Sequence, residues 1–384
     1  METAELLEIL ARGEDGKHQF KANITNAQSL SEELVAFSNL GGGQIFIGVS
    51  DDGTISGLST EDMRRLNQLV ANTSKNNVRP QLILQTENIL TPNGLVMVIT
   101  VADGISKPYM DNNGAIWVKS GSDKRKVTAR EEIQRMFQSA GLIHGDEIPV
   151  HALTIADVDT DYFKGFFEKR FETSVDDQHI SLPQILENMN LTKGRILNMS
   201  GALLFAKNPS FQLPIFIVKA IAYPGNEIDE TTYTDSKDIT GKLADIFQQS
   251  ISFVIGNIGS QQGEQGVNAP GVPEIPMSVL QELIANALIH RDYFVSAPVR
   301  IFIFADRIEI ISPGHLPNNL TVENIKMGLS NIRNPILASF ATYILPYRGL
   351  GNGIIRALKA YPDIEFENDR EGNMFKVTVN RCAT

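Results

Sequence analysis

Cysteine is almost absent from this sequence: Cys382 is the only one among 384 residues. A lone thiol excludes an internal disulfide framework and points to a reducing cytoplasm. No run of about eighteen apolar residues occurs, which excludes a bilayer-spanning helix and predicts no membrane partner. The opening residues Met1-Glu2-Thr3-Ala4-Glu5 are acidic where a secretory signal would be basic. Basic excess is missing as well. Lys and Arg number 34 against 45 Asp and Glu, a formal charge of −11. Residues 1–150 carry 14 basic and 19 acidic side chains and the remainder 20 and 26, so neither part can hold a polyanion by a uniform field. Internal repeats are lacking. What is present, 42% hydrophobic and 21% charged residues, suffices to bury two or three cores and is unlike a disordered chain.

The richest chemistry lies towards the carboxyl end. Over residues 277–293, Leu280, Leu283, Ile284, Ala287 and Leu288 fit a helical period, and Glu282, Asn286 and His290 fall four apart on one face. A carboxylate, a carboxamide and an imidazole are each costly to bury without a partner, and a magnesium-bound phosphate would supply one to all three. Asn286 could give the metal a carbonyl oxygen, Glu282 could hold or deprotonate a water, and His290 with Arg291 could face phosphate charge. The same spacing also suits a helix with a merely solvated polar face. Residues 299–305 and 308–311 read as two strands, after which Ser312-Pro313-Gly314 should break the ladder. Arg348-Gly349-Leu350-Gly351-Asn352-Gly353 then precedes a helical pattern over 354–361. Glycines ahead of a helix start let backbone N–H groups approach an anion closely.

In this order, the polar helix, strand pair and glycine-rich turn resemble the GHKL ATP-binding fold of gyrase, heat-shock chaperones, histidine kinases and mismatch-repair ATPases. The closer resemblance is to the variant at the C-terminal end of RecG-like transcriptional regulators. It implies ATP and Mg2+ as cofactors, Asn286 on the metal and Glu282 as the water-activating base. Nucleotide contacts are implied for Asn286, His290, Arg291, Ser312, Gly314, Arg348, Gly349, Gly351 and Gly353. Where the wider family has an aspartate for the adenine amino group, Ser312-Pro313-Gly314-His315-Leu316 stands here, and a hydroxyl accepts more weakly than a carboxylate. Asn331-Ile332-Arg333-Asn334-Pro335 resembles the subfamily's own pattern at the place of a lid.

The amino-terminal third has a different pattern. Ser29 with Glu32 forms a capping-box pair that predicts a helix to about Leu40, stopped by Gly41-Gly42-Gly43. Residues 44–49 read as a buried strand and Ser50-Asp51-Asp52-Gly53 as a turn into 54–58. Lys119, Lys124, Arg125, Lys126 and Arg130 cluster against Asp123 alone, beside Trp117 and Tyr109, as candidate nucleic-acid contacts. A solvated loop and helix start capped by Thr128 fits the same residues.

Glu14, Phe20, Lys21, Ser38, Asn39, Gly41-Gly42-Gly43 and Ile47-Gly48-Val49, with Lys107-Pro108 and 117–122 afterwards, resemble the Schlafen AlbA domain. Schlafen nucleases hold a metal with two glutamates five apart and an aspartate after the Ile-Gly-Val strand. Glu14 and Asp51 match the first and third positions, but Gln19 stands at the second. A carboxamide supplies no charge to a hard dication, so Glu14, Gln19 and Asp51 make at most a degenerate metal site and argue against a working nuclease.

The expected fold class is α+β: a Schlafen AlbA-like domain over 1–145, a connecting α+β region over 146–265, and a GHKL-like α/β sandwich over 266–384. Within the connector, 163–171 and 183–189 read as helices, 202–205 and 213–223 as strands, and Thr192-Lys193-Gly194-Arg195 as a turn. Residues 260–276, rich in Gly, Gln, Pro and Asn, read as a loop ahead of the polar helix. Three functions compete. One is a nucleotide-responsive, nucleic-acid-associated transcriptional regulator, with DNA ahead of RNA as partner and self-association into a homo-oligomer. Another is an ATPase through Glu282, or a nuclease through Glu14 and Asp51, in defence against foreign nucleic acid. The last is an oligomeric scaffold without catalysis.

Overall fold

The computed structural model describes residues 1–228, 231–261, 272–317, 320–349 and 351–381. Helices and sheets mix in an α+β architecture, and the chain divides into two compact units, Met1–Leu142 and Ile143–Thr384.

The first unit runs α1 (Thr3–Arg12), β1 (His18–Lys21), α2 (Ala27–Asn39), β2 (Gly43–Ile47), α3 (Thr60–Asn76), then the hairpin β3 (Gln85–Thr91) and β4 (Gly94–Val101). The strands order as β1-β2-β4-β3, with β1 parallel to β2 and the other pairs antiparallel. Alternation along β2 and β4 feeds two cores. Ile45, Ile47, Met97 and Ile99 pack with Leu34 of α2 and Leu66 of α3, while Phe46, Val96 and Val98 pack with Leu6 and Leu10 of α1. Because both faces are covered, the strand reads as a continuous apolar run. A second hairpin, β5 (Trp117–Ser120) and β6 (Asp123–Lys126), leads into α4 (Arg130–Ser139).

The starts of two of this unit's helices, α2 and α4, differ from the sequence expectation. Asn26, not Ser29, caps α2: its Oδ1 accepts from the amides of Gln28 (2.8 Å) and Ser29 (3.4 Å). Likewise α4 begins from Ala129 without a side-chain cap rather than from Thr128.

The second unit contains α5 (Thr160–Phe171), α6 (Met199–Phe205), β7 (Val218–Ala222), β8 (Asp235–Ile239), α7 (Leu243–Asn257) and α8 (Met277–Ile289). It continues with β9 (Val299–Ile303), β10 (Arg307–Pro313), α9 (Val322–Lys326), α10 (Pro335–Ile344), α11 (Gly353–Ala360), β11 (Ile364–Asp369) and β12 (Met374–Asn380). Six strands form one sheet in the order β8-β7-β9-β10-β12-β11, with β7 parallel to β9 and the other pairs antiparallel. Strands β7 and β8 therefore complete the sheet of the glycine-turn region, although they fall in the span read as a connector. Val279, Leu280, Leu283 and Ile284 of α8, none more than 1% exposed, share a core with Ile301, Ile308 and Ile310 of the sheet. Each contributes at most roughly 1.5–3 kcal/mol by burial, which fixes the rotation of α8 about its axis.

Three local expectations are corrected here. Residues 202–205 lie in α6 rather than a strand, with Asn198 Oδ1 accepting from Gly201 N (2.8 Å) at its start. Every residue of that helix is buried, and a helix apolar all round shows no period. The strand read over 213–223 starts only at Val218, because Phe216 N donates back to Leu213 O (3.1 Å) across Pro214. Ser312 and Pro313 do not break the ladder. They pair with Phe375 and Met374, and the strand ends at Gly314, whose φ is 97°. Proline is tolerated there because the position needs only its carbonyl, which accepts from Asp292 N (2.7 Å). Of the loop read over 260–276, residues 262–271 lie outside the described residues; Ser260–Gln261 and Val272–Pro273 pair with each other. No helix among the described residues is long and apolar enough to cross a membrane.

The cap assignment is testable. Asn26→Ala should lower the unfolding free energy by about 1 kcal/mol in urea, and Ser29→Ala by much less. Equal losses would remove Asn26 from that role.

Candidate functional site

Packing of α8 onto the sheet turns its polar residues towards a cavity of about 130 Å³. Glu282, Asn286 and His290 line it from α8, Ser312 and Gly314 from the end of β10, and Gly349, Gly351 and Gly353 from the turn before α11. Segments 67 residues apart in sequence, from Asn286 to Gly353, thus meet around one space.

The Glu282 carboxylate is held on both oxygens. Oε1 accepts from Asn286 Nδ2 (3.1 Å) and Oε2 from Arg356 Nη2 (3.0 Å). It lies so close to the start of α11 that a Cβ on Gly353 would collide with Oε1, so any larger residue there would push the carboxylate from its place. Asn286 keeps its Oδ1 without a partner among the described residues. Ser312 lines the cavity while its Oγ donates to Ala287 O (3.0 Å).

Several implied contacts are placed differently. His290 Nε2 lies 3.1 Å from Tyr347 Oη, and desolvation, with the Arg333 charge as a smaller cause, pushes its pKa down to about 4. It is neutral near pH 7 and offers phosphate no charge. Arg291, just past the end of α8, is turned into the core at 2% exposed. Its guanidinium donates to Val295 O (3.1 Å) and Ala297 O (2.6 Å) and lies over the rings of Phe216 and Tyr293. Arg348 is exposed and does not line the cavity, and Leu350 lies outside the described residues.

The cations that do line the cavity are Arg333 and Arg356, which motif reading did not assign as ligands. Arg333 donates to His315 O (2.5 Å) and packs against Gly314. A carboxylate at a core-facing helix position calls for a counter-ion, but no local signal marked Arg356 as that cation. Next to Arg333, the buried Asn334 donates from Nδ2 to Ile289 O and Arg291 O, both at 2.8 Å, tying this strap to the end of α8. Helix α10 then starts under Asp146, whose Oδ2 accepts from the amides of Ile336 (2.8 Å) and Leu337 (3.0 Å). Burial raises Asp146 to about 6.

These residues fit a magnesium-bound triphosphate. Magnesium takes one or two protein oxygens beside phosphate and water, and Asn286 Oδ1 is such an oxygen. A glycine-led helix start and the Arg356 guanidinium suit the phosphates.

The first unit carries no comparable metal set. Glu14 Oε1 accepts from Phe20 N (2.7 Å) and from Gln19 Nε2. Gln19 Oε1 in turn accepts from Lys119 Nζ (2.6 Å), so the oxygen expected to face a metal faces an ammonium. Asp51 is exposed in its turn, and no group of three or more acidic, histidine or cysteine side chains gathers as a metal site among the described residues. Lys119 is thereby removed from the nucleic-acid surface: its side chain is buried, pairs with Glu33 at 3.6 Å, and has its pKa lowered by desolvation. Its neighbours are matched, Lys124 half-buried and Arg125 and Arg130 exposed. Lys124 meets Glu32 (3.3 Å) and Glu33 (3.1 Å), Arg125 holds Glu132 with two bonds (2.6 and 2.9 Å), and Arg130 pairs with Glu131 (3.2 Å). Lys126 is exposed.

Residues 14–128 match the family model "Schlafen, AlbA_2", and residues 296–379 match "Putative ATP-dependent DNA helicase recG C-terminal". The chain joins a Schlafen AlbA_2 domain to a RecG C-terminal-type domain. The second match takes in Ser312, Gly314 and the glycine turn, while Glu282, Asn286 and His290 precede it. Among solved structures, the DIP2311 protein from Corynebacterium diphtheriae is similar at 20% identity and a TM-score of 0.47, covering 98% of this chain and 80% of its own. The N-terminal domain of a RecG-related protein from Nitrosomonas europaea is similar at 20% identity and a TM-score of 0.25, covering 34% of this chain and 96% of its own. At these scores neither bears on activity. No curated protein sequence matches the chain.

Asp146 and His290 predict a pH dependence of opposite signs. Asp146 is raised from 3.8 to about 6, so its stabilising contribution is whole below the ordinary value and is lost as pH rises through 6. His290 is lowered from 6.5 to about 4, so its contribution is present above 6.5 and lost as pH falls through 4. The two should nearly cancel in the wild type. Asp146→Asn keeps a capping oxygen but removes one titration, and its stability in urea should climb from pH 4 to 6.5 by on the order of 3 kcal/mol. A profile as flat as the wild type would refute the pairing.

Proposed function

We propose that this protein is a nucleotide-responsive, nucleic-acid-associated transcriptional regulator in which the RecG C-terminal-type domain binds ATP with Mg2+ and the Schlafen AlbA_2 domain contacts DNA. The observation that carries the nucleotide half is the meeting of Glu282, Asn286 and the glycine turn in one open cavity. Asn286 Oδ1 would ligate the metal, Arg356 and the start of α11 would hold phosphate, and Glu282 would take the proton of an attacking water. Magnesium on the phosphates would supply the positive charge that His290, being neutral, does not. ATP can bias the DNA-binding state only by differing in affinity for two states of the protein.

The bond from Lys119 to Gln19 favours DNA binding without cleavage by the first domain. An ammonium in contact with that oxygen repels a dication from the same place.

A thermal shift tests the first half. Magnesium ATP at 100 times its dissociation constant adds about 2.7 kcal/mol of stability. Asn286→Ala should abolish that shift, and Glu282→Gln should keep binding while stopping turnover. Absence of any shift at millimolar ATP would sink the nucleotide reading.

For DNA, Glu132→Gln should tighten binding by freeing Arg125, and the log–log salt slope should be shallower than about −0.9 for each phosphate contacted, because Arg125 and its neighbours exchange one anion for another. Unchanged binding by Glu132→Gln in a filter or anisotropy assay would exclude Arg125 as a phosphate contact.

A further inference from the structure

Glu282 does something in this structure that a water-activating base alone does not require. Its carboxylate occupies the space over Gly353 at the first residue of α11, where backbone N–H groups lack helix partners, and it takes the guanidinium of Arg356 one turn further on. An anion is therefore already seated at the helix start, and that anion belongs to the protein.

Among the cavity's described side chains, Arg356 is better placed for phosphate than the other basic groups. Arg333 is bound to His315 O, and His290 is neutral. Arg291 and Arg348 do not line the cavity. Arg356 is still 43% exposed while Glu282 is 10% exposed, so the guanidinium is reachable from the open side without unpacking α8.

We propose that Glu282 is an internal place-holder for a phosphate group, and that Arg356 is the phosphate-binding residue which changes partner on ligand entry. In the empty cavity Arg356 holds the Glu282 carboxylate beside the start of α11. A triphosphate brings more negative charge to the same donors and displaces it. Released from Arg356, Glu282 has its Oε2 free to turn towards the attacking water. Base release is then coupled to the arrival of phosphate, and a nucleoside without phosphates leaves the pair closed. This inference rests on the nucleotide reading and adds to it the exchange of partners.

The test measures binding to the full chain by calorimetry, using magnesium tripolyphosphate, magnesium ATP and adenosine. Glu282→Gln removes the competing charge and should bind tripolyphosphate and ATP at least fivefold tighter than wild type. Arg356→Ala should bind both at least tenfold more weakly, with Arg356→Lys recovering part of the loss. Adenosine affinity should be the same in all four proteins.

If wild type binds ATP but Glu282→Gln binds tripolyphosphate no more tightly, the place-holder idea is overturned while the nucleotide site stands. If Arg356→Ala weakens adenosine as much as ATP, the ion pair merely supports the fold, and the proposal fails. If neither ATP nor adenosine binds to any of the proteins, the nucleotide reading fails first and this inference with it.

Discussion

The ion pair between Glu282 and Arg356, closed over Gly353, is the constraint on which the second unit's cavity depends. It joins α8 to α11, and those helices bring the polar stripe and the glycine turn to the same space. A carboxylate at that depth is tolerable only with a cation and a donor in contact, and Arg356 and Asn286 supply them. The apolar face of α8 fixes its rotation, and the absence of a side chain at 353 fixes how near α11 can come. Remove either and the carboxylate has no seat.

A second tie operates at the other end of α8. Asn334 bridges the carbonyls of Ile289 and Arg291, and Asp146 caps the next helix from a segment far away in sequence. One Asp146 oxygen has no hydrogen-bond partner among the described residues, and burial moves its pKa up. The strap from Asn331 to Arg333 is thus pinned beside the cavity it lines.

Much of this was legible from residue patterns, and what was not has identifiable causes. The α8 stripe and the glycine turn could be read because their signals, fourfold spacing and glycine before a helix, are local. Partners across the fold could not. Nothing local distinguishes Arg291, which turns inward to carbonyls and rings, from Arg356, which reaches the cavity. The membership of β7 and β8 in the main sheet was hidden for a similar reason, since β7 runs parallel to β9 and the intervening chain gives no hairpin signal. Helix α6 was misread because it has no polar face. In the first unit, the glutamine at position 19 was visible, but its bond to a lysine 100 residues later was not.

The hairpin of β5 and β6 ends with Lys124 and Arg125 already facing carboxylates about 3 Å away. Opposite charges that close together cancel at a distance much shorter than the Debye length, so this surface projects little field into solution. A polyanion would not be drawn to it from afar. Encounter would be limited by diffusion and shape, and any recognition would be made in the last few ångströms, after touch.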